Sequence, residues 1–323
     1  MGDGPPGDAI SDAIGNNYLW GSSSGRPERS KMGIDNNKSL VFLHIPKTGG
    51  RSLYQVIRRQ YKRTEILALD NTRMGQFKSL PESKRRKIKI VQGHFGMEAG
   101  VHNFLPQPFR YFTILRDPVD RVISTYDYIL RNPDHTHYHT IVSNRMSLHD
   151  FVARGVSLIG IDNGQARLLC GMPDVGGIGF GKCPEEMLEL AKNNLREYFA
   201  VVGIVKRFDE MLLLLQKTFN WKTPLYVKQN VARKRTDKSA IPQETMELIR
   251  KYNRLDMELY RYAEDLFNKL VDSQGPAFSE ELKSFKALNK IYEINKFNPF
   301  MKVDTLLFKM YQNLLLPKKS KNP

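Results

Sequence analysis

The segment Leu43-His44-Ile45-Pro46-Lys47-Thr48-Gly49-Gly50-Arg51-Ser52-Leu53 carries the residue types that hold a phosphate. An apolar run, Leu40 to Leu43, leads into it, and a helical pattern, Leu53, Val56 and Ile57, follows it. Strand, loop and helix in that order aim consecutive backbone N–H groups and a helix N-terminus at one place, which suits an anion. Lys47 adds a point charge there, and Thr48, Gly49, Gly50, Arg51 and Ser52 share the loop. The Gly-x4-Gly-Lys-Ser/Thr spacing of a Walker loop is absent, which argues against an ordinary nucleoside-triphosphate enzyme.

A second constellation follows the segment Arg110 to Leu115, which reads as a buried strand. In Arg116-Asp117-Pro118-Val119-Asp120, Asp117 suits a helix N-cap, Pro118 the first helical position and Asp120 a capping box. Arg116 then lies at the carboxyl end of a strand, with Arg121, Ser124 and Tyr128 near one face of the next helix. An arginine fork plus a hydroxyl can hold a second phosphate. Asp117 reads as a cap rather than a catalyst, and Arg121 either as a nucleotide ligand or as paired with Asp117, the structural role being favoured.

A third run, Ile88 to Val91, ends at Gln92-Gly93-His94. In open parallel sheets ligands bind outside the carboxyl ends of the strands, so three such ends converge on one crevice. His94 is the candidate general base there, because an imidazole titrates near operating pH. His44, inside an apolar run, reads as buried and structural.

The paired motifs resemble the sulfotransferase superfamily that uses 3′-phosphoadenosine 5′-phosphosulfate (PAPS). Pro46-Lys47-Thr48-Gly49-Gly50 looks like its loop for the 5′-phosphosulfate, and Arg116-Asp117-Pro118 through Ser124 like its 3′-phosphate site. The form His-Ile-Pro-Lys-Thr-Gly-Gly is nearest to the branch with the heparan-sulfate 2-O- and 6-O-sulfotransferases and their bacterial relatives. Val202 to Asp209 and Asp256 to Tyr260 resemble later segments of that branch. The resemblance implies an α/β fold, a central parallel sheet flanked by helices with a P-loop-like phosphate loop. It implies PAPS as co-substrate, no metal, and transfer of a sulfuryl group to a hydroxyl acceptor. It makes Gly93-His94 the base, with Lys47 on the leaving phosphate. It places Asn230 and Lys234, in the basic stretch Tyr226 to Lys238, over the nucleotide.

The acceptor expected is a carbohydrate. A β-hydroxyacyl group on an acyl carrier protein is the second choice, and a non-catalytic nucleotide- or nucleic-acid-binding protein the alternative of another class. A net charge of +16 over 323 residues favours polyanions in general. No RNA-binding motif with interleaved aromatics appears, so nucleic acid is not an expected partner.

Residues 1–37, rich in Gly, Ser, Asp, Asn and Pro, read as a disordered leader. Residues 38–270 read as the catalytic domain and 271–323 as a basic helical extension, whose stretch Phe297 to Lys321 could touch a membrane surface. With no signal-peptide core and no apolar span, a cytoplasmic location is expected, the Golgi lumen only for an excised domain. The cysteines, Cys170 and Cys183, read as two thiols rather than a bridge. Gly171 to Gly181, with five glycines, reads as a loop beside the site. Asp162 to Leu168 reads either as a helix start capped by Asp162 or as a segment near the acceptor. His135, His137 and His139 read as a surface loop near the acceptor, a metal site being the lesser reading.

Overall fold

The computed structural model describes residues 39–228 and 236–296. Five strands among them form one wholly parallel sheet: β1 (Ser39–Leu43), β2 (Ile66–Asp70), β3 (Ile90–His94), β4 (Phe109–Leu115) and β5 (Phe199–Ile204), in the order β2-β3-β1-β4-β5. The central strand β1 is buried at every position. That explains its apolar run Leu40 to Leu43, because parallel strands are covered on both faces.

Strand β1 pairs with β3 through Leu40–Ile90 to Leu43–Gly93, and with β4 through Ser39–Phe109 to Phe42–Phe112. This register brings the carboxyl ends of β3, β1 and β4 side by side. The chain leaves β1 for the β2 edge, whereas it leaves β4 for the β5 edge, so the order reverses between the two central strands. A crevice opens at such a reversal.

Helix α1 (Gly50–Gln60) leaves β1 and buries Leu53, Val56 and Ile57. Helix α2 (Pro118–Leu130) leaves β4 and is amphipathic in an unusual sense. Val119, Val122, Ile123 and Ile129 enter a second hydrophobic cluster with Ile141, Leu148, Phe151, Val152 and Ile249. Its other stripe, spaced Asp120, Ser124, Asp127 and Tyr128 and continued by Arg131, faces the crevice. Those spacings of three and four place one row of side chains on one helix face.

Helix α3 (Gly164–Cys170) packs on α4 (Glu186–Tyr198), and β5 is covered by α5 (Phe208–Phe219) and α6 (Arg254–Asp272). The segment 271–296 contains α7 (Ala277–Lys296), which buries Phe278, Phe285 and Leu288. No described helix is long and apolar enough to cross a membrane. Both cysteines are free thiols, each pushed up to about 11, chiefly by burial.

Candidate functional site

The loop between β1 and α1 is built from strained backbone and one staple. Thr48 is fully buried, and its hydroxyl donates to the Ile45 carbonyl at 2.7 Å. Lys47 and Gly49 both take left-handed backbone, with φ of 71° and 84°. That conformation is unfavourable for a lysine by ~1–2 kcal/mol. Gly49 is the N-cap of α1 but offers no side chain to cap it, and no acid occupies the first turn. No capping side chain and no first-turn carboxylate therefore offset the positive end of α1.

Gly50 is required for a different reason: a Cβ there would lie 2.1 Å from Nε2 of His44. The loop is thus folded directly onto an imidazole. Ser52 is buried inside α1, so of the loop residues Pro46, Lys47, Gly49, Gly50 and Arg51 line the crevice, whereas Thr48 and Ser52 do not.

Helix α2 begins differently. The Asp117 carboxylate accepts from the Asp120 N–H at 2.9 Å, Pro118 fills the first turn, and Asp120 adds a second acid. This helix N-terminus is already satisfied, so its contribution to the crevice comes from side chains. Arg116, half-buried just before it, donates through Nη1 to the Lys47 carbonyl at 3.1 Å. Its backbone is gripped by Gln165, whose amide accepts from Arg116 N at 3.0 Å and donates to Arg116 O at 2.9 Å.

Arg121 is wholly buried and faces away from the crevice. It donates to the Ile159 carbonyl at 2.8 Å and pairs with Asp256 at 3.4 Å, not with Asp117. Asp256 also accepts from the N–H groups of Gln165 and Ala166 at 3.0 and 2.7 Å, fixing the start of α3. The pair therefore supports Gln165, which in turn holds Arg116. Asp162 is likewise structural: buried, it pairs with Arg167 at 2.6 Å and accepts from Gly181 N at 2.9 Å. Arg167 donates to the carbonyls of Val175, Ile178 and Gly179, which pins the glycine-rich loop away from the crevice.

His94 closes the third strand end. Its Nδ1 lies 2.8 Å from the His44 carbonyl oxygen, which can only accept, so Nδ1 carries the proton and Nε2 keeps its lone pair. Its ring is tilted 31° against that of His44 with centroids 4.3 Å apart. Burial lowers the His94 pKa below the ordinary histidine value, opposed by the bond to His44 and by Asp70, its register partner on β2. His44 is buried and held well below that value by burial, His94 and Lys47, and its Nδ1 meets the Tyr54 hydroxyl at 2.7 Å.

His44, Lys47, Tyr54, His94, Arg116 and Ser124 are among the residues that line a cleft of about 910 Å³. Lys47, Arg51, Arg116, Arg131 and Lys238 make it cationic, against Asp120 and Asp127. Lys47 is lowered to about 8, first by burial and then by Arg116, Arg131 and Arg51, with Asp127 opposing. Asp127 accepts from the N–H and hydroxyl of Thr236 at 3.2 and 2.6 Å, and Lys238 pairs with Asp120. Asn230 and Lys234 lie outside the described residues.

The sequence reading had not singled out Tyr54, Asp127, Arg131, Asn132, Thr236 or Lys238 as lining residues. Asp127 and Arg131 follow from continuing the Ser124 stripe by three and four along α2. Among the described residues no group of His, Cys, Asp and Glu is placed to hold a metal ion. His135 and His137 face each other with ring centroids 5.5 Å apart, and His135 lies edge-on to Tyr128.

Residues 24–293 match the model of the galactose-3-O-sulfotransferase family. The chain is similar to heparan-sulfate 6-O-sulfotransferase 2 of Gallus gallus, 27% identical over 287 residues, 74% of this chain and 69% of that one. It is 28% identical over 290 residues to heparan-sulfate 6-O-sulfotransferase 1 of Homo sapiens, 75% of this chain and 69% of that one. Against the human heparan-sulfate 6-O-sulfotransferase 2 it is 27% identical over 282 residues, 45% of that protein. The similarity to these heparan-sulfate sulfotransferases overturns the cytoplasmic location expected from the sequence.

Proposed function

Because the chain belongs to the galactose-3-O-sulfotransferase family, we propose that it moves a sulfuryl group from PAPS to a hydroxyl of a glycan. The observation that supports this reading is that two unlike groups of anion-attracting residues line one cleft. On one side stand Lys47 and the uncapped, acid-free N-terminus of α1. On the other stand Arg116 and Ser124, at the end of β4 and on α2. A donor with a 5′-phosphosulfate and a 3′-phosphate needs two such sites, whereas a nucleoside triphosphate needs one extended cradle.

In this reading the His94 Nε2 takes the proton of the acceptor hydroxyl as its oxygen approaches sulfur, and the bond from sulfur to the bridging phosphate oxygen breaks. Lys47 and the N–H groups of Gly49, Gly50 and Arg51 stabilise the charge that builds on the leaving phosphate. That is stabilisation by donors already in place, as in phosphoryl transfer. Asn230 and Lys234 are proposed to close on the nucleotide from the far side. The relatives named above act on heparan sulfate by name, which favours a glycan acceptor over an acyl carrier protein.

Calorimetry with PAP, the desulfated donor, against ADP and ATP tests the donor. Transfer of labelled sulfate from PAPS to galactose-terminated glycans, desulfated heparan sulfate and a β-hydroxyacyl carrier protein tests the acceptor. Tight PAP binding with sulfate on a glycan supports the reading. Equal affinity for ATP and PAP, or label on the carrier alone, overturns it.

A further inference from the structure

The Lys47 ammonium lies 3.8 Å from the centroid of the Tyr128 ring, within the range of a cation–π contact. The groups around it are mostly of its own sign: Arg51, Arg116 and Arg131, with Asp127 the opposing charge and His135 close enough to be depressed by it. Among the described residues no carboxylate comes within ion-pair distance of Lys47. The ring itself is fixed. Asn132 donates to the Tyr128 hydroxyl at 3.1 Å, and the His135 ring meets Tyr128 edge-on, 89° between planes and 5.7 Å between centroids. Tyr128 is one turn on from Ser124 along the cleft face of α2.

We propose that Tyr128 is the positioning residue for Lys47, its ring face holding the ammonium beside the phosphate loop with its charge uncancelled until a phosphate takes it. The physical reason lies in the kind of partner. A carboxylate in this place would neutralise the lysine and compete with the incoming phosphate. An aromatic face attracts a cation through its quadrupole yet carries no net charge. It therefore steadies a four-carbon side chain among three arginines and still leaves a full positive charge for the ligand. The helix that offers Ser124 to one phosphate thereby also aims the lysine at the other.

The proposal rests on the sulfotransferase reading for its consequence in turnover, but the contact can be tested without it. In the free 323-residue chain, acylation of Lys47 by an amine-reactive ester is followed by peptide mass spectrometry across a pH series. The wild type and Tyr128→Phe are expected to titrate together, near 8. Tyr128→Leu removes the ring and is expected to lower the proton affinity of Lys47 about 5- to 30-fold, the worth of a partly desolvated cation–π contact.

In PAPS-dependent transfer, Tyr128→Leu is expected to lose about tenfold in kcat with donor KM changed less than threefold. Tyr128→Phe should keep both. Should Tyr128→Leu unfold, Asn132→Ala loosens the same ring and is expected to lower kcat with the fold kept. An unchanged Lys47 titration in Tyr128→Leu overturns the contact, as does damage by Tyr128→Phe equal to that of leucine, which would assign the role to the hydroxyl. If the wild type transfers no sulfate at all, the functional reading fails, and the labelling arm still decides the contact.

Discussion

Arg116 donates to the carbonyl of Lys47 across 3.1 Å, so the two loops that carry the proposed phosphate sites are tied to each other. Strands β1 and β4 are neighbours in register, and this bond fastens their carboxyl ends. The arginine keeps the loops at a fixed spacing and presents its charge to the cleft.

Arg116 and Ser124 are expected to make the site prefer PAP over AMP, which lacks the 3′-phosphate. A charge-assisted hydrogen bond is worth roughly 1.5–3 kcal/mol, so the preference should be about 10- to 150-fold. Arg116→Ala should remove most of it, whereas Ser124→Ala should remove a smaller share. Titration calorimetry with both nucleotides gives the ratio directly. Equal affinities in the wild type would take the 3′-phosphate away from Arg116.

Arg121 and Asp256 should matter to stability rather than to the ligand. Both side chains are wholly buried, and Asp256→Ala would leave a guanidinium without its partner inside the protein. Breaking such a pair costs about 3–5 kcal/mol. The exposed pair Glu82–Arg86 gives the contrast, and Glu82→Ala should leave the melting transition where it is. Denaturant unfolding of the two variants separates the cases; similar midpoints would mean that Asp256 is not holding Arg121.

The three strand ends were legible for different reasons: Leu40 to Leu43 is an apolar run that ends before a Pro-Lys-Thr-Gly-Gly loop, Tyr111 to Leu115 is a largely apolar run that ends at Arg116, and Ile88 to Val91 alternates like a strand and ends at Gly93-His94. The loop was legible because Lys47 stands beside Gly49 and Gly50. The edge strand Ile66–Asp70 was not, since only Leu69 is buried and Leu-Ala-Leu favours a helix as much as a strand. The partner of Arg121 lies 135 residues away, and nothing local to Asp117-Pro118 announces it. Asp256 belonged to a recognised segment, but its work is to brace α3 and, through Gln165, the backbone of Arg116. The bond from His94 to the His44 carbonyl was equally hidden, because it depends on the register of β1 against β3.

Turnover should show two limbs against pH. His94 must be neutral to accept a proton, and burial lowers its pKa. Rate should therefore fall only on acidification below the ordinary histidine value of about 6.5. Lys47 must be charged to stabilise the leaving phosphate and loses its proton near 8 in the free protein. The alkaline limb of kcat/KM should therefore lie near 8. Bound donor supplies negative charge that favours the ammonium, so the same limb in kcat should move to higher pH. Profiles of both constants with PAPS varied test this; a kcat limb at or below that of kcat/KM would exclude Lys47 as its source.

His94 is the proposed general base, and its substitution should separate chemistry from binding. The Nδ1 proton is committed to the His44 carbonyl, so the lone pair on Nε2 remains for the acceptor hydroxyl. The phosphate ligands proposed above sit on the β1 and β4 sides of the cleft, and the imidazole is not one of them. His94→Ala should thus keep PAP affinity within a few fold. Its kcat should drop by roughly 10²–10⁴, the usual worth of a positioned base. The acid limb should vanish with the imidazole, whereas the alkaline limb from Lys47 should persist. His94→Gln offers a control, because its amide can still donate to the His44 carbonyl without supplying a base. It should preserve the thermal midpoint better than alanine yet turn over no faster. If His94→Gln restores wild-type kcat, His94 is a structural link between β3 and β1, and the proton must leave by another group. Tyr54, which reaches the cleft with its hydroxyl against His44 Nδ1, would then be the residue to replace next.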